Sequence, residues 1–201
     1  MNWIIFLFAI SVCGEVSLTE NTDPFSNITT VQGVAPNIDI DPVEREVTPT
    51  GGLKVKPTYP DFSLSIHRED NDVFIKFRQV ERFKSSFSSE NISKPILGAN
   101  SKLSILFENG DVLIIRYRGD RIEATDSNDR ERNAFAPGNS NRDQRLVSIG
   151  EEFKLDNSDI QKLKSNKVKQ LRVEFENSTT DREFNSNNEN YFVKYLPCLE
   201  I

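Results

Sequence analysis

The amino-acid pattern predicts an α+β domain: an antiparallel β-sheet of roughly six to eight strands with two short C-terminal helices. Three observations carry this. Apolar residues recur at every second position over 62–66, 73–77 and 171–175, which is the period of half-buried strands. Asp70-Asn71 and Asn109-Gly110 sit between apolar runs, where tight hairpin turns form. Near the C-terminus, Asn, Ser and Asp precede apolar residues at helical spacing, a helix-start signal.

The first hairpin pairs Phe62, Leu64 and Ile66 with Val73, Ile75 and Phe77. A two-residue loop at Asp70-Asn71 sets Ile66 opposite Ile75 and Leu64 opposite Phe77, so turn length and apolar pattern agree. The second hairpin runs Leu103–Phe107, turns at Asn109-Gly110 and returns through Val112–Tyr117. A type I′ turn there requires positive φ at both Asn109 and Gly110 and sets Phe107 opposite Val112 and Ile105 opposite Ile114. Both faces of this hairpin carry apolar side chains, so it is expected to be central and covered on each side.

The polar stretch 126–145 reads as a long exposed loop with Phe135 isolated in it. Leu146–Ile149 reads as a strand. Asn157 or Ser158 is expected to cap a helix through Ser165 with Ile160 and Leu163 inward. Leu171, Val173 and Phe175 form another strand. Asn187 or Asn188 is expected to cap a last helix carrying Phe192, Tyr195 and Leu196 and stopped by Pro197.

Three regions are expected in the 201 residues: a signal peptide over 1–14, a disordered tether over 15–60 and a β-rich domain over 61–201. Trp3–Cys13 is an apolar run too short to cross a bilayer, which takes about 20 residues, and it has the length of a signal-peptide core. Met1-Asn2 lacks the usual positive charge. Two processing routes stay open. Signal peptidase cuts after Gly14, or Ile10-Ser11-Val12-Cys13 serves as a lipoprotein box with Cys13 lipidated, although Val12 is larger than that box normally takes. Cys13 and Cys198 are the two cysteines. Losing or lipidating Cys13 leaves Cys198 as a small buried hydrophobe; a disulfide between them requires an uncleaved signal. The tether reading rests on six of the nine prolines, set among Thr, Asn and acids without a period.

Net charge is −6, and the 61–201 region is itself slightly acidic. No basic excess exists to neutralise phosphates, so nucleic acid is not an expected partner. Lys76, Arg78, Arg82 and Lys84 with interleaved Phe74, Phe77, Phe83 and Phe87 resemble an aromatic-plus-basic surface. The alternation places Phe77 inward and makes the cations a solvated strand face.

Asn157–Lys164, Leu171–Phe175 and Asn190-Tyr-Phe-Val-Lys-Tyr-Leu-Pro-Cys198-Leu together resemble the tail of small uncharacterised exported proteins, some lipoproteins, of Bacteroidetes-type bacteria. The resemblance covers roughly a quarter of the chain and consists of packing and capping patterns. It implies a bacterial envelope setting and transfers no site residue.

No catalytic or metal-binding grouping emerges, and no cofactor is expected. His67, the single histidine, reads as a surface residue. Asp126–Glu131 begins like a calcium loop, but Arg130 occupies a ligand position and Glu131 the required glycine. Glu69–Asp72, and Glu108 with Asp111, read as turn residues. The sequons at Asn27, Asn91 and Asn177 are no more than the abundant Asn, Ser and Thr produce by chance. The expected function is that of a non-catalytic exported protein of the periplasm or cell envelope. Its β-rich domain would bind or support an unknown protein or glycan partner, with membrane contact only through a lipid at Cys13. The alternative is a carboxylate-dependent hydrolase acting on envelope or extracellular glycans.

Overall fold

A computed structural model describes residues 13–22, 29–42, 61–84, 93–130 and 143–199. Its strands are β1 (Ser17–Thr22), β2 (Thr29–Val34), β3 (Ile38–Asp39), β4 (Asp41–Pro42), β5 (Asp61–Glu69), β6 (Asp72–Lys84) and β7 (Ile96–Leu97). The second half adds β8 (Lys102–Phe107), β9 (Val112–Arg116), β10 (Ile122–Glu123), β11 (Thr125–Arg130), β12 (Asp143–Leu155), β13 (Val168–Glu174) and β14 (Thr179–Glu183). Helices α1 (Asn157–Ser165) and α2 (Tyr191–Tyr195) follow the expected order, and a 3-10 turn, Leu196–Leu199, closes the described chain. The fold is α+β, with a seven-stranded antiparallel sheet and two short helices near the C-terminus.

The seven-stranded sheet has the order β1-β2-β5-β6-β12-β11, with β3 also paired to β5. A second sheet of five strands, order β4-β14-β13-β8-β9, lies against it, and β7 and β10 make a small ladder of their own. Alternation builds the core. Phe62, Leu64 and Ile66 on β5, Val73, Ile75 and Phe77 on β6, and Ile149 and Phe153 on β12 are all buried. They meet Leu103, Ile105 and Phe107 on β8 and Leu171 and Val173 on β13. Phe77 contacts Phe153 in its own sheet and Phe175, just beyond β13, with ring centroids 5.9 and 6.2 Å away.

The β5–β6 register is as expected, with Ile66 opposite Ile75 and Leu64 opposite Phe77. The β8–β9 hairpin differs. Leu106 pairs with Val112, Ile105 with Leu113 and Ser104 with Ile114, one residue away from the type I′ register. The Gly110 N–H donates to the Phe107 carbonyl (3.0 Å) and the Phe107 N–H to the Asp111 carbonyl (2.9 Å), which makes a three-residue loop. Only Gly110 takes positive φ, at 90°. Asn109 uses its side-chain oxygen instead, accepting from the Asp111 N–H at 3.0 Å. That local bond favours a type I turn followed by a left-handed glycine. The slip sends Val112 and Ile114 outward, and β9 is an edge strand. The expectation of a central hairpin covered on both sides is therefore corrected.

The tether over 15–60 is corrected where the structure describes it: residues 17–22 and 29–42 hold β1 to β4, and 43–60 lie outside the described residues. β2 and β3 add side by side along β5, and β4 adds to β14. Backbone hydrogen bonds supply the pairing, so these strands at the margins of the sheets need little apolar periodicity. Val16, Ala35 and Ile40, which flank these strands, are buried in the core. Pro42 is tolerated because β4 is an edge. Of the loop expected over 126–145, residues 126–130 belong to β11 and 143–145 to β12, and the two strands pair, while Phe135 lies outside the described residues.

Helix α1 begins one residue earlier than its expected caps. Asp156 is the N-cap, and the Asp159 carboxylate accepts its N–H at 3.1 Å. Asn190, not Asn187 or Asn188, precedes α2, and the chain passes through Pro197 as a 3-10 turn. The Tyr191 hydroxyl donates to the Pro36 carbonyl (2.8 Å) and accepts from the Ile66 N–H (3.1 Å), joining this C-terminal segment to the first sheet. Gly33 lies under the same segment, where an added Cβ would come within 2.8 Å of Leu199 Cδ2.

Candidate functional site

The outer face of the five-stranded sheet is built from three cross-strand rows. Cross-strand pairing puts Gln170, Leu106 and Val112 in one, Asp181, Arg172, Ser104 and Ile114 in the next, and Glu174, Lys102 and Arg116 in the third. Inward neighbours Leu113 and Ile115 are 3% exposed, whereas Val112 and Ile114 are 54% and 55% exposed. Beside this aliphatic strip, Lys102 pairs with Glu174 (3.1 Å) and Arg172 with Asp181 (2.6 Å). A shallow depression of about 280 Å³ runs between the strip and the ion pairs, lined by Ser104, Leu106, Val112, Gln170, Arg172 and Glu174. The face offers apolar area beside balanced charge and no nucleophile–base pair. It can bury surface against another molecule.

A second concavity, about 470 Å³, opens where β11 leaves β12. Its floor includes Phe77, Ile122 and Ile149, and Gly150 leaves a gap next to its cross-strand partner Arg78. The gap is tight at the backbone, because a Cβ at Gly150 would sit 3.0 Å from the Phe77 carbonyl. Thr125 and Ser148, whose hydroxyls are 2.9 Å apart, form one side. Glu123 and Glu151 line the same notch. Burial, followed by the charge of Glu151, pushes the Tyr117 phenol up.

His67 is partly buried rather than freely exposed. Its side chain is 15% exposed, stacks on Phe74 at 5.1 Å and places Nε2 3.5 Å from Glu152. Burial lowers its pKa against the opposing pull of Glu152. It is a packed ring beside a carboxylate, without a nucleophile. Glu108 and Asp111 are exposed at the hairpin turn, where Asp111 accepts from the Asn109 amide at 2.9 Å. Asp70 sits in the left-handed region, at φ 52°, and its carboxylate accepts from the Val31 N–H on β2 at 3.2 Å. Asp126 lies on strand β11, 3.8 Å from Lys94, so the calcium-like stretch is extended rather than looped. Among the described residues, no group of three or more His, Cys, Asp or Glu side chains is placed to hold a metal ion.

Of the basic stretch, Lys76 pairs with Glu152 (3.0 Å), Arg82 pairs with Asp61, and Phe77 is buried. Asn177 is structural. Its oxygen accepts from the Ile96 N–H (3.1 Å) and its amide donates to the Lys94 carbonyl (2.7 Å). Asn27 and Asn91 lie outside the described residues. Cys13, the candidate lipidation site, forms a disulfide with Cys198 in this structure, with Cα atoms 5.3 Å apart.

Two features escape a reading of sequence. Arg182 is 2% exposed, with its guanidinium 5.1 Å from the Phe62 ring centroid; a lone Arg in a polar run carries no sign of burial. The outward turn of Val112 and Ile114 depends on a single residue of loop length. Comparison with protein-family models, with curated proteins and with solved structures finds no match to this chain.

Proposed function

We propose that this is a non-catalytic exported protein of the bacterial envelope whose β-rich domain binds a partner protein through the outer face of its five-stranded sheet. One observation carries the binding surface. Val112 and Ile114 stand more than half exposed on an edge strand, beside Leu106 and next to ion pairs that leave the face without a dominant charge. Clustered aliphatic area rimmed by polar groups is the composition of a protein-binding patch. A glycan would be better served by exposed aromatic rings, and the apolar side chains of this face are the branched aliphatics Leu106, Val112 and Ile114. Export is supported by the apolar run Trp3–Cys13, and the envelope setting by the C-terminal resemblance. Among the described residues, no helix is long and apolar enough to cross a membrane.

The test is a photo-crosslinking side chain introduced at Ile114 in producing cells, with Lys76 on the other sheet as control. A discrete adduct at 114, absent at 76 and lost in Leu106→Glu, is the expected result. Equal labelling at both positions, or none at 114, would remove the surface from consideration.

The second reading is a glycan hydrolase, favoured by the joint presence of Glu123 and Glu151 in the notch. It requires cleavage of envelope polysaccharide by the purified protein and loss of that cleavage in Glu151→Gln and Glu123→Gln. Unchanged polysaccharide with the parent protein disposes of it.

A further inference from the structure

We infer that Cys13 is kept in the mature protein as half of a disulfide that clasps the two ends of the domain, so that the export cut falls N-terminal to Cys13 and its sulfur carries no lipid. The inference rests on the export reading for its compartment and on geometry for its chemistry. Three contacts join residues 13–16 to the C-terminal segment, and Val16 anchors them in the core. Cys13 is bonded to Cys198 across a sequence separation of 185. The Glu15 carboxylate lies 2.7 Å from Lys194 Nζ and accepts a hydrogen bond from the Tyr195 hydroxyl. Those two donors hold the Glu15 carboxyl below its ordinary range. Val16 is 9% exposed and belongs to the common core, and its N–H donates to the Cys13 carbonyl at 3.0 Å.

A cut after Gly14 would remove Cys13 and break this junction at its covalent point. It would leave Cys198, 3% exposed in the 3-10 turn, as an unpaired thiol. Lipidation conflicts differently: one sulfur cannot hold both a thioether and a disulfide. An uncleaved signal is not the remaining choice, because a cut upstream of Cys13 keeps the sulfur and still releases most of the apolar run. Ala9-Ile10-Ser11 supplies the small residues, two apart, that signal peptidases read.

The bond forms by thiol–disulfide exchange. A Cys13 or Cys198 thiolate attacks a disulfide-bearing oxidant of the exporting compartment, and the mixed disulfide is resolved by the second thiolate. One S–S bond forms in the protein as one breaks in the oxidant. Two electrons and the two thiol protons pass to the oxidant, which leaves as a dithiol or two thiols. In a reducing cytoplasm the clasp stays open, so the ends close only after export.

The test is intact-mass and N-terminal analysis of the full chain, expressed with its leader in an exporting bacterium and alkylated under denaturing conditions before and after reduction. The expected protein begins between Ile10 and Cys13, takes up no alkyl group before reduction and takes up two after it. A mature chain beginning at Glu15, a diacylglyceryl mass at Cys13, or an alkylated Cys198 without reduction overturns the inference. Refolding the purified leaderless chain from Val12 onward in a glutathione redox buffer separates the clasp from the export reading. Formation of the Cys13–Cys198 bond there, with the cellular protein still cytoplasmic, supports the clasp and defeats export alone. Failure of that bond to form in the refolded, otherwise native chain defeats the clasp whatever the compartment.

Discussion

At the residue scale, neighbouring side chains on β9 have opposite fates. Leu113 is 3% exposed and Ile114 55% exposed, although both are large aliphatics in one apolar run. Truncating Leu113 to Ala removes core contacts and leaves a cavity, at a cost of about 2–5 kcal/mol. Ile114→Ala is expected to cost about 1 kcal/mol or less, in keeping with an exposed site. Urea melts of the two variants decide this; an Ile114→Ala loss equal to that of Leu113→Ala would restore the covered, central hairpin. His67 gives a pH dependence of definite sign. Burial depresses its folded-state pKa below the unfolded value of about 6.5. The unfolded chain then binds more protons below that pH. The stabilising contribution of neutral His67 is complete above about 6.5 and is lost as pH falls through the folded pKa. The groups around it include Glu152, Lys76 and Glu69, with Phe74 against the ring. Denaturant melts across that range should slope less steeply in His67→Gln than in the parent, and identical slopes would count against the burial argument.

At the element scale, the two hairpins mark what a sequence can convey. The β5–β6 register was legible because turn length and apolar alternation independently demand the same pairing. The β8–β9 register was not, because Asn-Gly suits either a two-residue type I′ loop or a type I turn ending in a left-handed glycine. Apolar residues on both faces of β9 gave no penalty for a one-residue slip. β1 to β4 were illegible for a different reason: they attach by backbone pairing at sheet edges, and their prolines and polar residues imitate a spacer. The candidate surface inherits this, since it exists only in the slipped register. Gly110 provides the check on turn geometry. At φ 90° it has nothing within 4 Å of an added Cβ, so Gly110→Val is expected to cost about 1–3 kcal/mol through backbone strain alone. Gly110→Asn should cost distinctly less, because Asn tolerates positive φ better than a β-branched residue. If the two variants melt together, backbone conformation is not what the position requires.

At the scale of the whole molecule, the N-terminal strands and the C-terminal segment close the same core. A tether reading implies that residues 61–201 stand as an independent domain; the pairing of β1 to β4 implies that they do not. Deleting everything before Asp61 removes Val16, Ala35 and Ile40 from the core, strips the partners of β5 on one side and leaves Cys198 unpaired. It also takes away the Pro36 carbonyl that receives the buried Tyr191 hydroxyl, a group whose burial already pushes its pKa up. Any one of these losses is a large fraction of the roughly 5–15 kcal/mol that holds a domain folded. The disulfide makes the effects separable. Reducing the intact chain removes only the covalent link, and that is expected to lower stability by about 2–5 kcal/mol while the pairing of β1 to β4 remains. The 61–201 fragment loses link, strands and core together, so it should melt well below the reduced full chain and expose β5 as an open edge prone to association. Thermal melts of three samples, oxidised full chain, reduced full chain and fragment, should fall in that order. A fragment as stable as the reduced full chain would mean that β1 to β4 decorate the domain rather than complete it.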